Sequence, residues 1–457
     1  MSRLFGTDGI RGRAGTPPLD PTTVSRVGAA LVRVLGPGRD VSVLIGGDTR
    51  ESFDWIQREL ARGLLSEGAR VVSIGVTATP GVAFLTRSER FDAGIVISAS
   101  HNPFEDNGIK VFSSRGEKLD EDVERRIEAM VGDPAWSVSQ AALPDGSSDR
   151  SRTGVEERAE LRTRYVEHLL KIYPQPGRLA GSRLVVDCAN GATITIAPDL
   201  FRRLGFDVVV IGDRPDGRNI NLGCGSTHLE LLQKTVTETS ARLGVAFDGD
   251  GDRALFVDHT GKTVDGDAVL LLAGLHLQRE RRLPGDAIVA TVMSNIGLEL
   301  ALREHNIQLL RAPVGDKYVM EQMLARGIAL GGEQSGHIIF ADHLFTGDGI
   351  GTALQVLRIM EVSGRELADL AGALVTFPQI LVNVRVRARV DYNAIPSVAS
   401  AIRRVEERLD GQGRLLIRYS GTEPLLRIMI EGKEDAEIRQ WAYEIAEVVQ
   451  AELGERA

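Results

Sequence analysis

Short runs of β-branched residues recur along this chain, each closed by a polar or glycine-rich loop and parted from the next by a stretch of helical period. That alternation restricts the chain to a layered α/β architecture. Val41–Ile45 ends in Gly46-Gly47-Asp48, Val71–Ile74 follows a helical stretch near Phe53–Glu67, and Gly94–Ser98 runs into Ala99-Ser100-His101-Asn102-Pro103. The pattern returns at Arg183–Asp187, Asp207–Ile211, Gly244–Phe247 and Ala287–Met293. After Gln379 it changes. Gln379–Val390 alternates apolar and polar residues with period two, as a strand with one wet face does, and helical stretches at Ile395–Leu409 and up to Leu453 flank two further strands. The last segment therefore reads as an α+β domain. At 457 residues and 43% hydrophobic the chain can build three or four separate cores. The Pro-, Ser-, Gly- and Asp-rich segment Asp133–Arg158 reads as the first interdomain connection.

Several function classes fall away at once. The 54 basic and 63 acidic residues are interleaved, with a net charge of −9 and no basic stripe, so no nucleic-acid partner is expected. Cys188 and Cys224 form no CxxC pair and are too few for a disulfide framework, which points to the reducing cytoplasm. The longest apolar run, Ala268–Leu277, is broken by His276 and falls far short of the ~20 residues of a membrane span. No membrane role is expected. Gly261-Lys262-Thr263 lacks the upstream glycine of a phosphate-binding P-loop, Phe256 standing in its place, and no GxGxxG occurs, so ATP and NAD are not expected cofactors.

Four loops carry chemistry. Ser100 sits where a strand hands over to a turn, because Pro103 cannot continue a ladder; a helix- or turn-capping serine is the plainer alternative. Asp106–Phe112 returns as a strand that could bring Lys110 near that turn, although a lysine is ordinarily solvated. In Asp248-Gly-Asp-Gly-Asp252-Arg253 three carboxylates crowd together, an arrangement favoured chiefly by a divalent cation; an oxygen-only set points to Mg²⁺ or another hard ion rather than zinc, with a solvated acidic turn as the plainer alternative. An EF-hand is disfavoured, since its sixth position would be Arg253 and its twelfth His259. Gly332-Glu333-Gln334-Ser335-Gly336-His337 offers a polyol a carboxylate, an amide, a hydroxyl and an imidazole, with Glu333 and Ser335 facing one way if the segment is extended. Arg418, Ser420, the Gly421 backbone and Thr422 form a donor-rich loop suited to a phosphate, with a plain hairpin turn as its alternative. Two further polar loops stand out: Cys224–His228, and the glycine-punctuated opening that places Asp8 and Arg11 in a loop.

In order and spacing, Ser98–Pro103, Asp248–Arg253, Gly332–His337 and Arg418–Pro424 resemble the signatures of the α-D-phosphohexomutase superfamily over essentially the whole chain. The opening Phe5–Gly12, the Cys224–His228 loop and Gln334 resemble the bacterial members that act on glucosamine phosphates. Phosphomannomutases and phosphoglucomutases tend to carry Met or Glu where Gln334 stands. Tyr419 and Phe345 depart from the common pattern of Pro and Thr. The resemblance implies four domains: α/β domains at 1–150, 158–254 and 255–370 with mixed sheets, and a TATA-box-binding-protein-like α+β domain at 376–457. It implies a phosphoserine at Ser100 and one Mg²⁺ per site held by that residue with Asp248, Asp250 and Asp252. A sugar 1,6-bisphosphate would serve as intermediate and activator. Arg253 and His101 would stand beside the reacting group, and Lys110, His337 and Arg11 are unranked candidates for proton traffic. Glu333, Gln334 and Ser335 would hold the sugar, and Arg418, Ser420, Gly421, Thr422 and Arg427 the unreacting phosphate. The implied partners are a hexosamine phosphate substrate, a second copy of the chain in a homodimer and an activating kinase. Rotation of the last domain about Val375–Gln379 is expected. The competing readings are a mutase for glucose or mannose phosphates and a non-enzymatic sugar-phosphate or metal binder.

Overall fold

The computed structural model describes residues 4–6, 8–36, 40–136, 154–174, 177–420 and 424–454. The described residues divide into two compact bodies. One comprises Met1–Met293 and Asn306–Gly372, the other Ser294–His305 and Ala373–Ala457.

The larger body holds three sheets. The first orders its strands Ile10–Arg13, Asp106–Ser113, Ala93–Ile97, Ser42–Gly47, Arg70–Val76 and Val155–Glu157. Ser42–Gly47 runs parallel to both neighbours, while Asp106–Ser113 lies antiparallel beside Ala93–Ile97 with Lys110 opposite Val96. Every residue of Ala93–Ile97 is buried, which its unbroken apolar character requires of a strand covered on both faces. The helix Pro21–Leu35 starts where Pro21 supplies a preset φ and Asp20 accepts the Thr22 and Thr23 N–H groups, each at 3.1 Å. It crosses the helix Phe53–Ser66 at a point where a Cβ on Gly63 would stand 1.9 Å from the Ser25 carbonyl oxygen. Only glycine permits that backbone approach.

The second sheet runs Thr263–Val264, Ala254–Asp258, Leu243–Phe247, Arg183–Asp187, Asp207–Ile211, and the third Gln308–Ala312, Ala287–Thr291, Leu330–Gly332, Ile338–Phe340. In the smaller body the antiparallel strands Gln379–Arg385, Leu425–Glu431 and Arg414–Tyr419 back onto the helices Pro396–Leu409 and Asp435–Leu453 through Ile380, Val384, Ile428, Ile430, Val405 and Ile445.

Three expectations change. Arg11 lies in an edge strand rather than a loop, registered against Gly108; Gly9 immediately precedes that strand and Gly12 lies within it, paired with Asn107, without dissolving it. The period-two strand stops at Arg385 rather than Val390, because its partner begins at Leu425 and the preceding Pro424 has no N–H to donate. Between Arg183–Asp187 and Asp207–Ile211, where the alternation of strand and helix predicts one helix, the chain splits into a 3₁₀ turn, Ala192–Thr195, and a short helix, Ala197–Arg203. The segment 137–153 of the expected first connection lies outside the described residues.

Candidate active site

Ser100 is 1% exposed and adopts φ +54°, the left-handed region that a non-glycine residue enters at a cost of ~1–3 kcal/mol. Its surroundings over-determine that conformation. Ser98 Oγ accepts the Ser100 N–H at 2.9 Å and donates to Asp48 Oδ2 at 2.5 Å. Arg50, whose side chain is fully buried, reaches Asp48 Oδ2 with Nε at 2.9 Å and fans its remaining donors over the loop: Ser100 O at 3.1 Å, Asn102 O at 2.8 Å, Asp106 O at 3.0 Å, and Pro103 O. From the second sheet's unit, Asn221 Nδ2 donates to the same Ser100 O at 2.9 Å and Asn102 O at 3.2 Å. Asp48, Arg50 and Asn221 escaped the sequence reading. The signal for the first two was an Asp-x-Arg placed directly after the buried strand Ser42–Gly47.

Ser100 Oγ donates to Asp248 Oδ2 at 2.5 Å, and Asp248 Oδ1 accepts the Arg253 N–H at 3.1 Å. Asp248, Asp250 and Asp252 are 0%, 0% and 3% exposed, and one oxygen from each lies within 4.8 Å of the others. Lys110 Nζ reaches Asp250 Oδ2 at 2.8 Å and Asp252 Oδ2 at 3.1 Å. Asp250 Oδ1 and Asp252 Oδ1 are buried and make no hydrogen bond among the described residues. Such orphaned anionic oxygens are costly unless a cation completes them. The three oxygen ligands therefore suit a hard divalent ion. The electrostatics agree: burial, and then repulsion from Asp252 and Asp250, pushes the Asp248 carboxyl well up. Burial also opposes the charged form of Asp252, but Lys110 and His337 outweigh it and hold that carboxyl well below its usual range.

Lys110 is 2% exposed, so it is no solvated surface lysine. Besides the aspartates it meets Asp8 Oδ2 at 3.1 Å, and Lys118 bridges Asp8 Oδ1 at 2.6 Å to Asp316 Oδ2 at 2.5 Å. Burial works against the ammonium of Lys110, yet Asp250, Asp252 and Asp8 raise it well above the usual lysine range. Arg11 is paired with Asp8. His337 is 2% exposed; its Nε2 accepts the Gly347 N–H at 2.9 Å, which places the ring proton on Nδ1, 3.6 Å from Asp252 Oδ1. His101 Nδ1 stands 3.4 Å from Ser100 Oγ and 3.3 Å from an Arg253 guanidinium nitrogen. Burial, then Arg253 and Arg11, lower its pKa to about 4, so the ring is neutral at pH 7.

Glu333 and Ser335 come together through a turn rather than an extended run: the Gly336 N–H closes onto Glu333 O at 3.0 Å, and Ser335 Oγ lies 3.4 Å from Glu333 Oε2. Glu333 Oε1 accepts the Gly315 N–H at 3.2 Å. Gln334 Nε2 donates to Asp265 Oδ2 at 3.1 Å, so its amide ties the loop to the N-cap of the helix Gly266–Arg279. The Cys224–His228 loop is pinned by its backbone, Gly225 N–H to Asp187 Oδ2 at 2.7 Å and Ser226 N–H to Phe247 O at 2.8 Å.

In the smaller body Arg418 pairs directly with Arg427, which pairs on its other side with Asn383. Two like charges opposite one another on adjacent strands repel, and an anion lying over that row would offset the repulsion. Ser420 is 2% exposed, its N–H bonded to Leu425 O at 2.9 Å and its carbonyl accepting from Arg389 at 2.6 Å. Gly421 and Thr422 lie outside the described residues.

Matches to known proteins follow the same layout. Residues 2–136, 163–261, 265–377 and 381–448 match, in turn, α/β/α domains I, II and III and the C-terminal domain of phosphoglucomutase/phosphomannomutase. The chain belongs to this family of α-D-phosphohexomutases. Its curated relatives include phosphoglucosamine mutases from Solibacter usitatus, 49% identical with 99% of each chain covered, and from Pseudomonas aeruginosa, 47% identical with 98% of this chain and 99% of that one covered. A phosphoglucomutase/phosphomannomutase family protein of Burkholderia thailandensis has a similar structure, with a TM-score of 0.79 at 26% identity over 98% of this chain and 97% of that one. The Aspergillus fumigatus N-acetylphosphoglucosamine mutase, solved with GlcNAc-6P and magnesium, shares the fold: TM-score 0.66, 19% identity, 98% and 95% covered.

Proposed function

We propose that the chain catalyses the phosphoglucosamine mutase reaction, interconverting glucosamine 6-phosphate and glucosamine 1-phosphate by way of a phosphoserine at Ser100. The observation that carries this reading is the hydroxyl of Ser100, held in a left-handed turn and set 2.5 Å from one of three buried, mutually crowded aspartates. A protein that only binds sugar phosphates needs no such hydroxyl. The sugar's C1 hydroxyl attacks the Ser100 phosphorus, the P–Oγ bond breaks, the hydroxyl's proton ends on the leaving Oγ, and a 1,6-bisphosphate forms. After the bisphosphate turns over, Ser100 Oγ attacks the phosphorus at C6 and glucosamine 1-phosphate leaves.

Asp248, Asp250 and Asp252 would hold a Mg²⁺, whose charge would offset that of the transferring oxygens. Lys110 and Arg253 place two further positive charges at the same spot. His337 stands 3.6 Å from Asp252 Oδ1 and favours the charged form of that carboxyl. Of the three proton-traffic candidates, Lys110 reaches two carboxylates of the triad and His337 stands beside one, while Asp8 engages both Lys110 and Arg11. Glu333 and Ser335 hold the sugar, and Gln334 steadies their turn. Arg418 and Arg427, with Ser420, grip the phosphate that is not reacting.

A coupled assay with glucosamine 6-phosphate, run beside intact mass spectrometry, tests the reading. Purified protein should carry one phosphate on Ser100, and Ser100→Ala should lose essentially all turnover. Wild-type-like turnover in that variant would sink the covalent mechanism. Comparing kcat/KM for glucosamine, glucose and mannose 6-phosphates separates this substrate from the related hexoses.

A further inference from the structure

Thr79 has no part in the chemistry above, yet it meets the acidic triad more closely than any residue outside the four loops described. It opens the helix Thr79–Ser88 and is 1% exposed. Its N–H donates to the Asp250 carbonyl at 2.8 Å and its Oγ1 to Asp250 Oδ2 at 2.6 Å. One threonine thus grips both the main chain and the side chain of one carboxylate residue 171 positions away. The approach is close on either side: a Cβ on Gly251 would stand 3.1 Å from the Ala78 Cβ and 2.5 Å from Thr193 Cγ2.

The consequence lies in which oxygen stays open. Asp250 Oδ2 accepts Thr79 Oγ1 and the Lys110 ammonium, while Oδ1 is buried with no hydrogen-bond partner among the described residues. Rotation about the Asp250 Cβ–Cγ bond would exchange the two oxygens. The Lys110 contact is a point charge that also serves Asp252 and Asp8, and an arriving cation would compete with it. The hydroxyl of Thr79 is neutral and carries no such competition.

We infer that Thr79 is a positioning residue for the divalent cation, fixing the Asp250 carboxylate so that Oδ1 faces the ion. The inference rests on reading the triad as the metal site. Outer partners of this kind ordinarily change metal affinity ~10–100-fold.

The test measures Mn²⁺ binding by the electron paramagnetic resonance signal of the free ion, on full-length protein whose Ser100 phosphorylation has been matched by intact mass. Thr79→Val keeps the shape and removes the hydroxyl; it should weaken binding about 10–100-fold. Thr79→Ser restores the hydroxyl and should bring affinity back to within about threefold of wild type. In the mutase assay, Thr79→Val should need more Mg²⁺ for half-maximal rate while approaching the wild-type kcat at saturation. A hydroxyl that merely stabilises packing would lower the melting temperature and leave the Mn²⁺ curve in place. Unchanged Mn²⁺ binding in Thr79→Val, or a loss in Thr79→Ser as large as that in Thr79→Val, overturns the inference. If Thr79→Val does not fold, Thr79→Ala read against Thr79→Ser gives the same comparison. Asp250→Asn tests the underlying reading separately: if that change leaves Mn²⁺ binding intact, the triad is not the metal site and the error lies there rather than at Thr79.

Discussion

Arg50 buries its whole guanidinium to hold four carbonyl groups of the serine turn, a task that needs a planar fork of five donors. Lysine keeps the charge but has one point of contact. Arg50→Lys should therefore let the turn drift, and a misplacement of about 1 Å at a reacting group costs on the order of 100-fold in rate. We expect kcat to fall by about that factor with KM for glucosamine 6-phosphate changed less than about threefold. A KM that rises in step with the loss of kcat would show that the turn binds substrate rather than presenting the phosphoryl group. Legibility in the sequence follows contact distance along the chain. Ser100 and the three aspartates were readable because each sits in a short contiguous signature whose chemistry is local. Arg50, Asn221 and Thr79 act on carbonyls or carboxylates 50 to 171 positions away, and no window of sequence holds both partners. Asp8 belongs to the same group: its motif was visible, but its bridges through Lys110 and Lys118 were not.

The helix Gly349–Ser363 begins on Asp348, whose Oδ1 accepts the Gly351 N–H at 2.7 Å while Oδ2 accepts the Tyr165 hydroxyl at 2.9 Å. Burial raises the Asp348 carboxyl to about 6, against ~3.9 in an unfolded chain. A raised carboxyl contributes stability that is complete below the unfolded value and is lost as pH rises through the folded one. Asparagine caps a helix comparably and does not titrate. The melting temperature of wild type minus that of Asp348→Asn should therefore increase as pH is lowered from about 7 to about 4; a difference that shrinks over that range contradicts the assignment. The crossing at Gly63 gives a second check. Gly63→Ala sets a methyl group 1.9 Å from the Ser25 oxygen and should cost about 1–3 kcal/mol, read as a lower urea midpoint. Helices and central strands were legible at this scale because hydrophobic period reports burial. The edge strand Ile10–Arg13 was not, since glycine punctuation there marks close approach to a neighbour: a Cβ on Gly9 would lie 2.4 Å from Ile109 O.

Across the molecule, the expected pivot at Val375–Gln379 changes place. Asn295 bonds both main-chain groups of Phe377, N–H to Oδ1 at 3.0 Å and carbonyl from Nδ2 at 3.0 Å, so that segment belongs inside the smaller body. Any rotation of this body would be taken up where the chain passes between bodies, at Met293/Ser294, His305/Asn306 and Gly372/Ala373. Adding glucosamine 1,6-bisphosphate should then alter the small-angle scattering profile, and superimposable profiles with and without it would count against the motion. Sequence order concealed this division, because the helix Ile296–Glu304 lies among residues of the third α/β unit yet bonds to a C-terminal strand: the Ile296 N–H donates to Glu431 Oε2 at 3.1 Å, with Arg414 Nε on the same oxygen at 2.8 Å. That bond joins residues 135 positions apart. On a ribosome adding 5–20 residues per second, Ile296 is made roughly 7–27 s before its partner. The smaller body can close only after nearly the whole chain has been translated, so the turn that carries Ser100 has time to form before Arg418 and Arg427 exist.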